Sequence, residues 1–259
     1  MPSICLSCII YTIEGKHVQE NKYIQIFLLW LSQLIKTGGL GKNDKLIMYI
    51  DKRTVNYLFN DSIFGSVLGK APFQTQVLGI PPPKTHLEGM MWKYNICDYT
   101  QDIYIYLDID ILVMKSLHEL VGNTIPNKIY VCIEGYMSNS DYGADMSSED
   151  LDEGMNGFSA GKFMVYGKEL RDKLFKTIQG FCNYNKSYYT IEQPFFNRAI
   201  LCTENIDVDV LVEPAVSLNN VGYNKDFTVL LDCAGEPGNG DYHHSKILDV
   251  FCLLNCDAL

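Results

Sequence analysis

The sequence predicts an α/β fold with a central, mostly parallel β-sheet flanked by helices. Three observations predict it. Ile103-Tyr104-Ile105-Tyr106-Leu107-Asp108-Ile109-Asp110-Ile111-Leu112-Val113 is a run of β-branched and aromatic residues broken only by two aspartates, the composition of a strand covered on both faces. Ile4–Thr12, Tyr23–Thr37 and Lys45–Ile50 read as strand, helix and strand with short joints, a βαβ unit. Beyond them strand-like and helix-like stretches continue with no internal repeat and no obvious boundary, so a single domain is expected over residues 1–259.

The first strand, Ile4–Thr12, carries Tyr11, Thr12 and Glu14 at its carboxyl end; without a basic leader it reads as core, not as a signal peptide. Tyr23–Thr37 has helical spacing in Ile24, Phe27, Leu28, Leu31, Leu34 and Ile35 and stops at Gly38-Gly39. Lys45–Ile50 is a strand running into Asp51. Thr54–Gly69 is helical in its first part, and Gln74–Leu78 is a short strand closed by Pro81-Pro82-Pro83. His86–Cys97 reads as a helix bearing Trp92, Lys93 and Tyr94. The Asp-Ile-Asp strand follows, then a helical turn over Lys115–Leu120 and a strand over Ile129–Ile133.

Ser138–Gly157 is polar and acidic and reads as a solvated, mobile loop. Phe158–Tyr166 returns to the sheet, Glu169–Phe181 is an amphipathic helix, and Ile191–Leu201 is a helix entered by Glu192-Gln193-Pro194. Val208–Val212 and Thr228–Leu231 are late strands. Asp232–Lys246 is a glycine-rich loop holding His243 and His244.

Composition removes several function classes. The net charge is −10 with no Lys/Arg cluster, which argues against a nucleic-acid partner. A phosphorylated ligand would need a metal, helix N-termini and a few placed lysines. No segment reaches the ~18 apolar residues of a membrane span. Nine cysteines without framework spacing point to reduced thiols and a cytoplasmic location. Cys5-x-x-Cys8 and Cys252-x-x-x-Cys256 would make two halves of a zinc site, but residues three apart on a strand face opposite ways. Buried thiols acting as small hydrophobes are the expectation.

The chemistry concentrates at Asp108 and Asp110. An ionised carboxylate is costly inside an apolar core unless paired or metal-bound. Both are therefore expected where the strand leaves the sheet, at the carboxyl edge where open α/β sheets bind ligands. Carboxylates at i and i+2 can converge on one Mn²⁺ or Mg²⁺, which in turn bridges a diphosphate. The plainer alternative is a strand end followed by a helix-capping aspartate.

The run Gly89–Leu120, with Trp92-Lys93-Tyr94, then Tyr106-Leu107-Asp108-Ile109-Asp110-Ile111-Leu112-Val113, then Leu117-His118-Glu119-Leu120, resembles the glycogenin-like family 8 of retaining glycosyltransferases. Their signature is a lysine-bearing helix, a "YLDxDxLV" strand and an "LxEL" turn. Phe158-Ser159-Ala160-Gly161 resembles the family's "FNSG" strand, and Glu192-Gln193-Pro194-Phe195-Phe196-Asn197 its "DQxxLN" helix start.

The resemblance implies a GT-A fold and a UDP-sugar donor. Tyr11 and Thr12 would contact base and ribose, and Asp51 would sit near the uracil. Lys93 would reach the phosphates or orient Asp108. Asp108 would touch the ribose or the donor sugar as well as the metal, Ile109 would lie on the donor beside it, and Asp110 would bind the metal. Ser159, Ala160 and Gly161 would line the sugar, with Glu192 and Gln193 by the anomeric carbon. The acidic stretch Ser138–Gly157 would border an acceptor that is a glycan, a protein or a small molecule. Each residue also has a plain reading: Lys93 a solvated helix lysine, Thr12 a turn residue, Asp51 a strand-ending cap, Glu192 a helix N-terminal acid.

Two departures stand out. Glu192 replaces the family's Asp, and the family's terminal His-x-x-Gly-x-x-Lys-Pro-Trp is absent. Either Asp232 takes the histidine's place as third metal ligand, or His243 or His244 does, with Lys246 on the phosphate. Gly235, Gly238 and Gly240 would let backbone N–H groups approach phosphate. Two other functions compete. A haloacid-dehalogenase-type phosphatase would use Asp108 as nucleophile and Asp110 as general acid. A nucleotide-sugar-binding module would bind without turnover.

Overall fold

A computed structural model describes residues 1–147, 149, 151, 154–217, 224, 226–233 and 244–250. In chain order, β1 (Ile4–Ile10), α1 (Tyr23–Thr37), β2 (Lys45–Asp51), α2 (Lys52–Asn60), α3 (Ser62–Leu68) and β3 (Gln74–Ile80) form the first half. Then come α4 (His86–Met91) with a 3-10 turn over Trp92–Tyr94, β4 (Ile103–Leu107), β5 (Ile111–Val113), α5 (His118–Val121), β6 (Lys128–Tyr136) and α6 (Ser140–Gly143). β7 (Asn156–Tyr166), α7 (Lys168–Phe181), α8 (Gln193–Leu201), β8 (Ile206–Asp207), β9 (Ala215–Ser217) and β10 (Leu230–Asp232) follow. A further helix covers 244–250.

Seven strands make the main sheet in the order β3-β2-β1-β4-β7-β6-β8. β3, β2, β1 and β4 are parallel, β7 runs against both β4 and β6, and β8 is parallel to β6. The expected α/β architecture, a mostly parallel central sheet with flanking helices, is what forms.

Side-chain alternation assigns the two faces. Ile4, Leu6, Cys8 and Ile10 of β1 and Ile103, Ile105 and Leu107 of β4 share one core with Phe27, Trp30, Leu31 and Leu34 of α1. Cys5 and Ile9 with Tyr104 and Tyr106 face the other core, against Phe175 of α7 and Phe195 and Phe196 of α8. Cys5 and Cys8 thus lie on opposite faces, buried and unbridged, as expected for small apolar fillers. Cys252 and Cys256 lie outside the described residues. Among the described residues no helix is long and apolar enough to cross a membrane.

Four segments depart from expectation. The 103–113 run is two strands: a turn at Asp108–Asp110, closed by Ile111 N–H donating to Asp108 O at 3.1 Å, diverts the chain from the main sheet into a second sheet, β5-β10-β9. Both apolar arms are buried in this way while the aspartates stay at the bend. The helix expected over His86–Cys97 tightens to a 3-10 turn at Trp92 and ends before Asn95.

Val208–Val212 is not a strand. The Asp207 carboxylate accepts from Asp209 N at 3.1 Å and Val210 N at 3.3 Å, a side-chain turn that bends the backbone off the sheet edge. Finally, Ser138–Gly157 is anchored by Asp145. Its carboxylate is nearly fully buried and takes Lys186 at 2.7 Å, Arg198 at 2.9 Å and the Tyr188 hydroxyl at 2.9 Å. Three donors on one carboxylate tie Asp145, which precedes the acidic run, to Arg198 of α8 and to Lys186 and Tyr188.

Candidate functional site

The strand order selects the site. The chain builds outward from β1 to β2 and β3, then returns to lay β4 on the other side of β1. The order reverses between β1 and β4, and a doubly wound sheet opens a crevice at the carboxyl ends of such a pair. The residues at that edge are Tyr11 and Thr12 after β1 and Asp108 after β4.

Asp108 is held from two sides. Its N–H donates to Gly161 O at 2.8 Å, and its Oδ1 accepts the Tyr106 hydroxyl at 2.5 Å. The pairing of β4 with β7 sets Leu107 opposite Lys162, which brings Gly161 against the Asp108 carboxylate. A Cβ on Gly161 would stand 2.6 Å from Asp108 Oδ2, so only glycine lets the carboxylate lie there. Ser159 Oγ, one register back on β7, accepts the Gly161 N–H at 3.3 Å. Ile109 turns its side chain into the core, and Asp110 O receives the Cys233 N–H at 2.9 Å, tying the bend to β10.

Behind Asp108 lies a buried ion pair. Lys93, fully buried, puts Nζ 2.5 Å from Glu192 Oε1 and 2.8 Å from Ala160 O, and sits 4.6 Å over the Tyr106 ring. The lysine is therefore not a solvated helix residue; it braces the β7 backbone and Glu192. Gln193 joins the same brace, accepting from Ala160 N–H at 3.1 Å and donating to Asp141 O at 3.4 Å. Asn197, one turn on, exchanges two bonds with the Phe158 backbone at 2.7 and 2.8 Å. The sequence includes Asn197 in the Glu192–Asn197 match without a role; a polar residue on the buried side of a helix start signals such a fastening.

At the β1 side, Tyr11 packs its ring onto Gly89, where a Cβ would meet it at 2.4 Å, and its hydroxyl lies 3.2 Å from His86 Nδ1. Thr12 and Asp51 are buried and bound to each other: Thr12 N–H donates to Asp51 Oδ2 at 2.8 Å. Asp51 Oδ1 accepts from Arg53 N at 3.0 Å and Thr54 N at 3.3 Å, which caps α2. The capping role of Asp51 is thus observed directly, and it holds Thr12 in place at the crevice.

The third group comes from β10. Asp232 pairs in register with Ile111, which places it beside the Asp108–Asp110 bend. Its carboxylate is ion-paired to Lys162, which also binds Glu134 of β6. Sequence reading missed both partners. A lysine inside the apolar β7 run Phe158–Tyr166 was the available signal, the same kind that marked Asp108. Lys246 and His244 open the 244–250 helix, and the charge of Lys246 is felt at Cys233, next to Asp232. Gly235, Gly238, Gly240 and His243 lie outside the described residues.

The carboxylates raise one another. Burial pushes Asp108 up to about 6, with Glu192 and Asp232 adding to it and Lys93 and the Tyr106 hydroxyl opposing. Asp110 is held well above the usual range by burial, then by Asp108 and Asp232. Hard oxygen donors under mutual repulsion are the chemistry that a divalent cation relieves. Among the described residues no three His, Cys, Asp or Glu side chains gather closely enough to hold a metal alone. Asp108 and Asp110 would be the two carboxylates of such a site at the bend.

These shifts set a pH dependence. A carboxyl raised in the folded state keeps a proton that the unfolded chain releases above about pH 4. Folding then loses stability as pH climbs from there through about 6. Without divalent ions, Asp108→Asn is therefore expected to gain stability over the wild type between pH 4 and 7. Urea midpoints of both proteins across that range check it, and a pH-independent difference would refute it.

Compared with known proteins, the chain matches no family model and no curated sequence significantly.

Proposed function

We propose that this chain is a glycosyltransferase of GT-A architecture. It would move a hexose, glucose or galactose, from a UDP donor to an acceptor hydroxyl with retention of configuration, using Mn²⁺ or Mg²⁺. The observation that carries the reading is the Asp108–Asp110 bend at the β1/β4 switch point, with Gly161 packed against it. The glycogenin-like motifs around Lys93, Asp108, Gly161 and Gln193 supply its chemical content.

In this reading Asp108 and Asp110 would hold the ion, which would supply Lewis-acid stabilisation of the charge on the leaving group. Tyr106 aims the Asp108 carboxylate by its hydrogen bond. Gly161 gives it room, and Ser159 and Ala160 shape the sugar side beside it. Lys93 lowers the proton affinity of Asp108 through its charge, so the carboxylate is ionised when a donor arrives. Gln193 and Glu192 act as positioning residues through Ala160 and Lys93. Thr12, fixed by Asp51, and Tyr11 would border the nucleoside.

A binding module without turnover is the second reading. One observation favours it: Lys162 already neutralises Asp232, the expected third ligand. The phosphatase reading fits less well, since Asp108 follows the fourth strand rather than the first.

Thermal-shift measurement with UDP, UDP-glucose and UDP-galactose, each with Mn²⁺ or with EDTA, tests the proposal. Stabilisation is expected only with nucleotide and Mn²⁺ together, accompanied by release of UDP from one of the sugars. No shift under any condition would sink the donor site; a shift without UDP release would select the module.

A further inference from the structure

A second space, a pocket of about 560 Å³, opens beside α4, between the Pro81-Pro82-Pro83 connector and the C-terminal end of α7. We propose that it binds the flat heteroaromatic base of a purine nucleoside, at a site separate from the Asp108–Asp110 crevice.

Position is the first argument. Glu88, Met91, Trp92 and Asn95 line the pocket. They stand at i, i+3, i+4 and i+7, one stripe along α4 and the turn that extends it. Gly89, one position on from Glu88, packs instead against the Tyr11 ring at the β1 edge. α4 therefore divides the two spaces. A ligand here touches neither the aspartate bend nor its ion, so the inference stands apart from the donor reading. The size is that of pockets which enclose small molecules, roughly 300–1,000 Å³.

The rings are the second. Trp92 sits on the turn after α4 and Tyr184 on the loop after α7, so two aromatic side chains reach one pocket from separate elements. Tyr184 is 60% exposed and Trp92 is half-buried, and both keep ring surface to offer. The thioether of Met91 and the prolines add apolar wall. A flat π-system gains most from such surfaces, because a base presents a face that stacks on an aromatic ring.

The third is the pair of carboxamides. Gln179 Nε2 donates to Tyr94 O at 2.9 Å, which fixes the amide and leaves its Oε1 for a ligand. Asn95 serves the fold through its backbone: its N–H donates to Trp92 O at 3.0 Å and its carbonyl accepts the Tyr49 hydroxyl at 3.1 Å. Its side chain is left for the pocket. A carboxamide carries a donor and an acceptor side by side, the match of an adenine edge. Among the described lining residues Lys84 and Glu88 bring one charge of each sign, which suits a neutral ligand better than an ion. The wall is also held in place: Glu88 Oε2 accepts the Lys84 N–H at 2.6 Å, and Pro83 O accepts the Glu14 N–H at 2.7 Å.

The chain has two tryptophans. Trp30 is fully buried with its indole N–H on Ile111 O at 2.9 Å, so Trp92 reports on this pocket. Fluorescence titration of the full chain in EDTA with adenosine and guanosine, and with uridine, choline and maltose as comparators, tests the proposal. At least one purine nucleoside is expected to quench Trp92 emission saturably, and uridine to bind more weakly. Tyr184→Ala should weaken the purine at least about fivefold, the lower end of what one base–aromatic stack contributes, and Asn95→Ala should weaken it too. Both side chains are exposed, so both variants keep the fold. No saturable quenching by either purine, equal binding of uridine, displacement by choline or maltose, or indifference to Tyr184→Ala would each overturn the inference. The UDP reading can fail without touching this result, since neither diphosphate nor divalent ion enters the assay.

Discussion

Asp110→Asn is expected to lower Mn²⁺-dependent UDP release by at least about 100-fold, the rate equivalent of a few kcal/mol of lost charge stabilisation. The fold should survive. Asparagine keeps the side chain's shape, and the contact that ties the bend to β10 uses the Asp110 carbonyl, not its side chain. In EDTA the variant is expected to melt at the wild-type temperature or slightly above it, by about 1–4 °C if roughly 1 kcal/mol of repulsion is removed. That follows because burial, Asp108 and Asp232 all disfavour the charge on Asp110. Opposite signs in the two assays separate a ligand-binding carboxylate from a structural one. Undiminished UDP release in the variant, or wild-type release in EDTA, would remove the metal from the scheme.

What the sequence disclosed, and what it did not, follows the range of the interactions. β1, α1 and β2 were legible because their signals are local: continuous apolar runs, helical spacing and Gly38-Gly39 as a stop. The Asp108–Asp110 bend was legible because a charge in an apolar run has to leave the core. The split into β5 was not, since it depends on β10 arriving from over a hundred residues away to pair with Ile111 and Leu112. The Lys162–Glu134–Asp232 cluster is hidden for the same reason: each residue looks misplaced alone, and only the β6–β7 register and β10 bring them together. Within the described part of Ser138–Gly157, composition misled at Asp145. The acidity of the stretch suggested solvation, but this aspartate is the buried centre of an ion-pair network.

The Lys162 cluster also bears on how the site would work. In a two-carboxylate hold, Asp232 acts on Asp108 and Asp110 through its field, and Lys162 sets the size of that field. The Lys162 proton is held above its usual range: burial opposes the charge, but Asp232 and Glu134 outweigh it. The ammonium therefore stays charged at neutral pH and moderates the negative potential at the Asp108–Asp110 bend.

Lys93→Met carries the largest expected stability loss. The substitution keeps the length and apolar stem of the side chain and removes only the ammonium. Glu192, itself nearly fully buried, is then left as a carboxylate without its counterion, and Ala160 O loses its donor. Breaking one partner of a buried pair costs about 3–5 kcal/mol, because the other charge stays desolvated. Urea unfolding should show this as a lower midpoint with an unchanged slope. Lys93→Met/Glu192→Gln is expected to recover much of the loss, since the orphaned charge is gone and only the pair's net worth is missing. The same single variant should raise the Asp108 carboxyl further, because Lys93 is the main charge pulling it down. Mn²⁺ binding at neutral pH would then weaken and recover as pH rises, a shift that a purely structural lysine would not produce. A loss under about 1 kcal/mol, or no rescue by the double variant, would show that the pair does not brace the site.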